Sequence, residues 1–287
     1  MNLAEKHYSR FDVQTEIVDF CKNRWIAAHY LNPHGKLVFK RYLRGKPLKI
    51  NNREDLSKLI TRNDWILRSI YATSNLYAKI KDIEDVYTLS NVCRCNPVWD
   101  IDGDLSNWQA TIEAAKVIGS FLNDRGIEKS IYFKWSGNGC HIHIHEEAFS
   151  DDILKKHHPL DLAYAIVEYV NSKTYQDLRE IMRKGRIVVE NKVDPTRVFT
   201  CPLSLHREIN VVCVCFKQDV LSDFTPEWIS PSNFQHDPNW REFVKGEADE
   251  IAEDAYRTVG GYPLKHRRRR RKTIPLDKQI MKWLQKD

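Results

Sequence analysis

Three short segments of this 287-residue chain carry side chains that could do chemistry, and the first is acidic. It runs from Trp99 to Asp104. Because side chains alternate along a strand, Asp100 and Asp102 lie on one face, with Asp104 just beyond the strand end. Adjacent carboxylates repel each other unless a cation lies between them, and Mg²⁺ or Mn²⁺ suits carboxylate oxygens. The pair indicates a metal site, with an acidic loop after a strand as the alternative.

The second segment is a glycine-rich turn between two predicted strands. Gly137 and Gly139 allow a sharp turn whose N–H groups face an anion. Ser136 can donate its hydroxyl group, and His141 begins the next strand, aimed back at the turn. This pattern favours a cradle for phosphates.

The histidines that follow the turn leave two other interpretations open. His141, His143 and His145 share one face of the strand, which suits a three-histidine zinc site. Consecutive ligands on one straight strand lie about 6.5 Å apart, however, which is a wide spacing for a single metal. The other interpretation is a hairpin with a half-exposed polar face. We rank the phosphate cradle first, the hairpin second and zinc third.

The third segment places another carboxylate at the end of an apolar run. Asp194 follows residues 187–189 and precedes Pro195, although an isolated Asp-Pro is usually only a turn. The residues downstream offer hydrogen-bond donors for an anionic substrate, namely Ser204, His206 and Arg207.

Secondary structure must hold these segments in place, and the hydrophobic pattern predicts it. Helices are predicted at 11–31, 107–125, 159–183 and 241–257, and strands at 36–42, 98–102, 130–135, 140–145, 186–190 and 209–216. Segment 64–71 is predicted as helix running into strand. The order strand, helix, strand, strand, helix, strand favours a mixed sheet covered by helices over a doubly wound parallel sheet.

Positive charge is concentrated near the C-terminus. The chain has 45 Lys and Arg against 39 Asp and Glu, and removing six consecutive cations leaves the rest neutral. Such runs often contact nucleic acid, and a solvated tail or a localisation signal is the alternative. The predicted nucleic-acid contacts are Arg267, Arg268, Arg269, Arg270, Arg271 and Lys272.

The remaining composition excludes membrane and secreted-scaffold classes. No apolar run approaches the roughly 20 residues of a membrane helix. Residues 1–10 are too charged for a secretory signal, and seven cysteines, an odd number, are typical of a reducing compartment. We therefore expect a cytoplasmic protein that does not contact a membrane.

In this order the three segments resemble the archaeo-eukaryotic primase superfamily. The shared pattern is a DxD on a strand (100–102), an SGxGxH-type turn (136–141), then an aspartate (Asp194) followed by a proline-serine-leucine-histidine stretch (202–206). The similarity is closest to the small catalytic subunit of archaeal primase and to stand-alone primase-polymerases. Segment 70–77 also resembles the family's segment before the DxD strand, and the resemblance spans about residues 8–216.

The resemblance implies an α/β (α+β) fold, a mixed-sheet primase-polymerase catalytic core in which one half has a sheet like an RNA-recognition module. Residues 1–260 would form this core, with an N-terminal α/β part at about 1–95 and the catalytic part at about 96–220. Residues 261–287 would form a basic linker and a C-terminal amphipathic helix. That helix is a candidate contact for a second primase subunit, a helicase or another replication protein.

The resemblance also implies a DNA primase/polymerase. Such an enzyme transfers a nucleotide from NTP or dNTP to a 3′-hydroxyl on a single-stranded DNA template, making or extending primers in replication or repair. Asp100, Asp102 and Asp194 would be catalytic and would hold two Mg²⁺ or Mn²⁺ ions. The residues implied to bind the nucleotide are Ser136, Gly137, Asn138, His141, His206 and Arg207.

Two other functions stay open. A metal-dependent phosphoesterase would use Asp100, Asp102 and the three histidines, and a non-catalytic nucleic-acid-binding relative would use the basic tail. Release of pyrophosphate on a single-stranded template separates the primase from both.

The chain departs from the family pattern at two kinds of position. Asn138 stands where small primase subunits commonly have arginine, and Thr200 where many relatives have a basic residue. Candidates for the missing charge are Lys134, Lys192, Arg197 and Arg207. The family's zinc knob is absent, because no cysteine lies between residues 103 and 140. The cysteine pairs 93/95 and 213/215 are interpreted as core thiols, so we expect no structural zinc.

Overall fold

The structure, a computed structural model, describes residues 2–61 and 65–263. The predicted C-terminal helix and the basic run at 267–272 lie outside the described residues. Within the two described ranges, no helix has the length and apolar character needed to cross a membrane.

The described residues form eight α-helices and twelve strands, together with short 3₁₀ turns. In chain order they are α1 (Leu3–Tyr8), α2 (Phe11–Cys21), β1 (Arg24–Leu31), β2 (Leu37–Lys40), β3 (Tyr42–Leu43), β4 (Lys46–Pro47), α3 (Arg53–Ile60), β5 (Ile66–Tyr77), α4 (Ile83–Tyr87), β6 (Val92–Cys95), β7 (Val98–Asp102), α5 (Trp108–Asp124), β8 (Ile131–Trp135), β9 (Cys140–Ile144), α6 (Asp151–Lys156), α7 (Pro159–Gly185), β10 (Val188–Asn191), β11 (Val198–Thr200), β12 (Val214–Phe216) and α8 (Asp249–Val259).

Two five-stranded sheets organise the molecule. The N-terminal sheet has the order β11-β5-β1-β2, with β6 also paired to β5. The central sheet has the order β10-β7-β9-β8-β12. Every pairing among the described strands is antiparallel. Strand β11 pairs with β5 of the N-terminal sheet but follows β10 of the central sheet along the chain, so it connects the two sheets.

The central sheet confirms the predicted order of elements. Strand β7, helix α5, strands β8 and β9, helix α7 and strand β10 follow one another and form a split β-α-β unit. Helix α5 contacts β7 and β9, and α7 contacts β10 and α8. A stripe of buried side chains on α5 drives this packing, including Ala114, Ile118 and Leu122. The α+β fold class with helices packed on sheets is therefore confirmed.

The predicted helix at 11–31 is wrong in its second half. The helix ends at Cys21, and Asn23 adopts a left-handed conformation with φ 58°. The chain then enters β1, where Trp25, Ile26, Ala27 and Ala28 are all buried. A strand buried on both faces carries no period of two, so its apolar residues continued the helical spacing.

Three other predicted elements also differ. The helix expected at 241–257 begins only at Asp249, because Gly246 has φ 85° and interrupts the chain before it. The strand expected at 209–216 is confined to Val214–Phe216, and upstream Val212 makes only an isolated bridge to Leu205. The described part of 64–71 is strand without helix.

Candidate active site

The two aspartates of the DxD lie on β7, which is flanked by β9 and β10 in the central sheet. In this register Asp100 lies directly opposite His141 on β9 and Glu190 on β10. The Nε2 atom of His141 lies 3.1 Å from Oδ1 of Asp100 and 3.3 Å from Oγ of Ser136. On the other side, Nη2 of Arg197 lies 3.7 Å from Oδ2 of Asp100. The strand pairing therefore joins the DxD to the glycine-rich turn.

The two carboxyl groups have opposite electrostatic environments. Burial alone would raise the pKa of Asp100, but His141 and Arg197 outweigh it and lower that pKa below its usual value. Asp102 is more exposed, and its pKa is raised by partial burial and by the neighbouring charge of Asp100. A cation between the two carboxylates would relieve this repulsion, so the donor set fits a hard divalent ion.

Glycine is required at two positions of the turn for steric reasons. A Cβ atom on Gly139 would collide with the carbonyl oxygen of Ile101 on β7, so only glycine lets the turn approach that strand. Gly137 has φ 132°, and a Cβ there would lie 2.6 Å from Cδ2 of His206. The indole N–H of Trp135 donates to the carbonyl of Gly137 at 2.7 Å, which fixes the turn.

The turn also has free hydrogen-bond donors. Its one internal backbone bond runs from the amide of Ser136 to the carbonyl of Gly139. Within the described part of the chain, the amides of Gly137 and Asn138 donate to no other backbone group. Successive unused N–H groups at a sharp turn form a concavity suited to an anion.

His206 packs against this turn and is held as one tautomer. Its Nδ1 atom accepts hydrogen bonds from the amides of Glu208 and Ile209, both at 3.2 Å. A ring nitrogen that accepts carries no proton, so the proton of the neutral ring is on Nε2, on the side of Gly137. Burial and the nearby Arg207 lower the pKa of His206, which favours the neutral ring. The ring therefore presents an N–H donor to the turn.

These groups surround one open cavity of about 430 Å³. Its lining comes from both sheets and from the loops at 136–139 and 206–207. The lining residues are Tyr71, Asp100, Asp102, Gly103, Ser136, Asn138, Gly139, His141, Arg197, Val198, Phe199, Thr200, His206 and Arg207. A cavity of about 500 Å³ beside α1 is larger, but the described residues lining it include one carboxylate, Glu5, and no histidine.

The cavity distinguishes among the four basic residues considered for the missing arginine. Arg197 and Arg207 line it. Lys192 lies 2.5 Å from Glu190 in an ion pair, and Lys134 is fully buried beside His141 in the central sheet. The first two can therefore face an anionic ligand directly.

Asp194 is the one predicted carboxylate outside the lining of this cavity. Its Oδ1 accepts from the amide of Thr196 at 2.6 Å and from the Thr196 hydroxyl at 3.2 Å. The side-chain amide of Asn75 holds the same turn by donating to the carbonyl of Pro195 at 2.9 Å. Within the described ranges, no group of three or more His, Cys, Asp or Glu side chains is arranged to hold a metal.

The other histidines of the turn segment do not line the cavity, although the ring of His143 packs against Phe199, which does. His143 is buried, and its ring stacks on that of Tyr132 with centroids 4.7 Å apart. His145 caps the next turn by accepting from the amide of Glu147, and its ring stacks on Phe243. Asp104 likewise caps a 3₁₀ turn by accepting from the amide of Ser106. All three serve local structure.

Sequence reasoning missed several residues of the site. Tyr71 lines the cavity, yet only its segment was singled out by the resemblance. Phe199 packs edge-on against His141, with ring centroids 5.1 Å apart. Glu190 shares the register of Asp100, and its place in a short apolar strand gave no signal. These positions depend on strand pairing, which spacing along the chain does not reveal.

Comparison with known proteins supports the fold. No protein-family model matches the sequence, and no curated protein matches it either. Among solved structures, the chain is similar to the polymerase domain of Ligase D from Mycobacterium tuberculosis, solved in complex with DNA. The TM-score is 0.54 at 14% sequence identity, over 90% of this chain and 88% of that one. The similarity is one of fold, and that fold belongs to a polymerase domain.

Proposed function

We propose that this protein is a template-directed nucleotidyltransferase, a DNA primase/polymerase that transfers a nucleotide from NTP or dNTP to a 3′-hydroxyl group. One observation carries the proposal. Around a single cavity, the carboxylates of Asp100 and Asp102 face the turn at 136–139, together with His141 and His206. Acids for metal ions and donors for phosphates thus occupy one site, on a fold similar to a polymerase domain.

Asp100 and Asp102 are the residues proposed to hold divalent ions. Asp194 is proposed as a third ligand, which requires its side chain to turn from Thr196 toward the cavity. When bound, two such ions activate the 3′-hydroxyl group and stabilise the leaving pyrophosphate. The contribution of the protein is to fix the carboxylates on a rigid central strand. His141 holds Oδ1 of Asp100 and Arg197 lies 3.7 Å from its Oδ2, so an ion would share Oδ2 with Arg197 and take its other protein ligand from the carboxylate of Asp102.

The turn and the histidines are proposed to bind the triphosphate. The free amides of Gly137 and Asn138, the Ser136 hydroxyl and the Nε2–H of His206 supply neutral donors. Arg197 and Arg207 supply the positive charge that offsets the phosphates. Because the glycines and hydrogen bonds already fix these donors, little reorganisation is needed when charge builds on the transferred group.

Primer extension with labelled nucleotides tests the proposal. Wild-type protein is given a primed and an unprimed single-stranded DNA template, with Mg²⁺ or Mn²⁺ and with NTPs and dNTPs in separate reactions. Asp102→Asn should abolish incorporation, whereas Asp104→Asn, two residues away on a capping side chain, should leave it intact. Absence of incorporation by the wild type under all conditions would refute the proposal.

The same samples test the two alternatives. A phosphoesterase would release phosphate from a nucleotide or nucleic acid without extending a primer. A non-catalytic relative would bind single-stranded DNA without changing the nucleotide. Binding of nucleotide that is weakened in His206→Ala but unchanged in His145→Ala would assign the cradle even before turnover is measured.

A further inference from the structure

Three rings cross one face of the N-terminal sheet in a continuous strip, which we call the aromatic strip: Tyr71, His29 and Phe39. His29 lies directly opposite Phe39 in the register of β1 and β2. Tyr71 pairs with Ala27, two residues from His29, so all three side chains share a face. The ring centroids lie 5.3 Å apart for His29 and Tyr71, and 4.8 Å apart for His29 and Phe39.

The strip leads from the cavity to the edge of the sheet. Tyr71 lines the cavity and pairs with Thr200, which also lines it. Its hydroxyl lies 3.2 Å from Nδ1 of His29, which fixes the middle ring. Phe39 is 45% exposed on the edge strand β2. Exposure of a large ring at the open end makes the strip accessible from solvent.

The surroundings of the strip are strongly positive. Residues 20–53 contain nine Lys or Arg and no Asp or Glu. This stretch includes β1 and β2, with Lys36 and Lys40 on either side of Phe39 along the chain. At the cavity end, Arg207 is close enough to His29 to contribute to the lowering of its pKa, after burial. Two of the nine are compensated, because Lys22 pairs with Asp19 and the buried Arg24 pairs with Glu146. The other seven still give this stretch a net positive charge.

We propose that a single strand of nucleic acid lies across this sheet face, with its bases stacked on Phe39 and His29 as it enters the cavity. Aromatic side chains on an open sheet face, bordered by cations, suit unpaired bases and their phosphates. A partner protein with a neutral surface would gain little from this positive stretch, whereas the phosphates of a nucleic acid would complement it. The inference rests on the proposed function in one respect, namely that the bound nucleic-acid strand runs toward the carboxylates of the cavity.

Fluorescence anisotropy with a labelled oligodeoxythymidylate, at several salt concentrations, tests this proposal. Phe39→Ala should weaken binding about 5- to 100-fold, the range expected for losing one base–aromatic stack. Because no charge is removed, the dependence of log affinity on log salt should keep its slope. Tyr175→Ala is the matched control, since Tyr175 is a 51% exposed ring on α7, outside the N-terminal sheet. Phe39→Trp should retain affinity.

An abasic oligonucleotide of the same length makes the test specific for stacking. On this probe wild type and Phe39→Ala should bind alike, because there is no base to stack. Equal affinity of the two proteins for the thymidylate would overturn the proposal, as would an equal loss on both probes. A third outcome is that the wild type incorporates no nucleotide while Phe39→Ala still loses affinity for the thymidylate alone. In that case the proposed function fails and the nucleic-acid-binding sheet face stands.

Discussion

Replacing Lys134 by methionine should stabilise the protein. Lys134 lies on β8 with no exposed surface, and its Nζ atom has no hydrogen-bond partner among the described residues. Two aromatic rings lie close to it, since Nζ lies 4.9 Å from the ring centre of Phe20 and 5.8 Å from that of Phe199. Burial lowers the pKa of Lys134 and outweighs the opposing effect of the nearby Cys213, Cys215 and Cys201, and the charge of Arg24 adds to the lowering.

The size of the effect follows from this environment. Methionine keeps most of the aliphatic volume and removes a charge that has left water without a partner. Replacing buried ionic groups by apolar ones of similar volume stabilises proteins by about 1–4 kcal/mol. Unfolding entropy of about 2.1 cal/mol/K per residue gives roughly 0.6 kcal/mol/K for 287 residues. Lys134→Met should therefore raise Tm by about 2–7 °C.

The gain should also depend on pH in a defined direction. The folded-state pKa of Lys134 lies below its ordinary value of 10.5, so the cost of the buried charge is fully present below the folded pKa. As pH rises through the folded pKa, the folded protein loses this proton before the unfolded chain does. Wild-type stability then increases relative to the variant. The difference in Tm should shrink as pH rises toward 10.5.

Scanning calorimetry of wild type and Lys134→Met across this pH range makes the measurement. Lys155→Met is the control, because the Lys155 side chain is 75% exposed and its replacement should change stability by about 0.5 kcal/mol or less. A lower Tm for Lys134→Met at neutral pH would refute the reasoning. A difference in Tm between the two proteins that stays constant up to pH 10 would refute it as well.

Three further predictions concern the site and the tail. Gly139→Ala should lower Tm and weaken nucleotide binding, because the new Cβ would collide with the Ile101 carbonyl. Isothermal titration calorimetry measures the binding, and normal affinity would show that the turn adapts to the larger side chain. Asp100→Asn should abolish incorporation while circular dichroism stays native, and residual activity near wild type would remove this carboxylate from the site. Deleting residues 265–287 removes the basic run. If the run neutralises about five phosphates, it contributes roughly −3 to −4 to the slope of log affinity for single-stranded DNA against log salt, so the deletion should flatten that slope. An unchanged slope would assign the run to another role.

Where the sequence pattern was periodic and local, it predicted the fold well. Helix α5 has an apolar stripe on one face, and β8 and β9 flank a turn rich in glycine, so their positions followed from spacing. Strand β1 could not be distinguished from a helix, because it is apolar on both faces. Its partner strands β2 and β5 determine its conformation, and those contacts are remote in sequence.

The contrast between local pattern and distant contacts also separates the site residues that could be predicted from those that could not. Asp100, Ser136 and His141 converge because adjacent strands of one sheet carry them, and the order of the motifs already implied this. The position of Asp194 depends instead on a turn that Asn75 holds from another strand, more than one hundred residues away in the chain. The sequence motif indicates that Asp194 follows a strand, but the direction of its side chain depends on these distant contacts and could not be predicted.

A row of side chains across the central sheet connects the chemistry of the cavity to the core. In register, Glu190, Asp100, His141, Lys134 and Cys215 lie side by side on β10, β7, β9, β8 and β12. Carboxylates occupy one end, and a buried ammonium group lies two strands from Asp100, beyond His141. We expect this lysine to lower stability, since an apolar residue would pair equally well in the strand. If nucleotide binding weakens in Lys134→Met while Tm rises, the lysine supplies positive potential beside the cavity, where a bound triphosphate would add negative charge. Unchanged nucleotide binding in this variant would exclude that role.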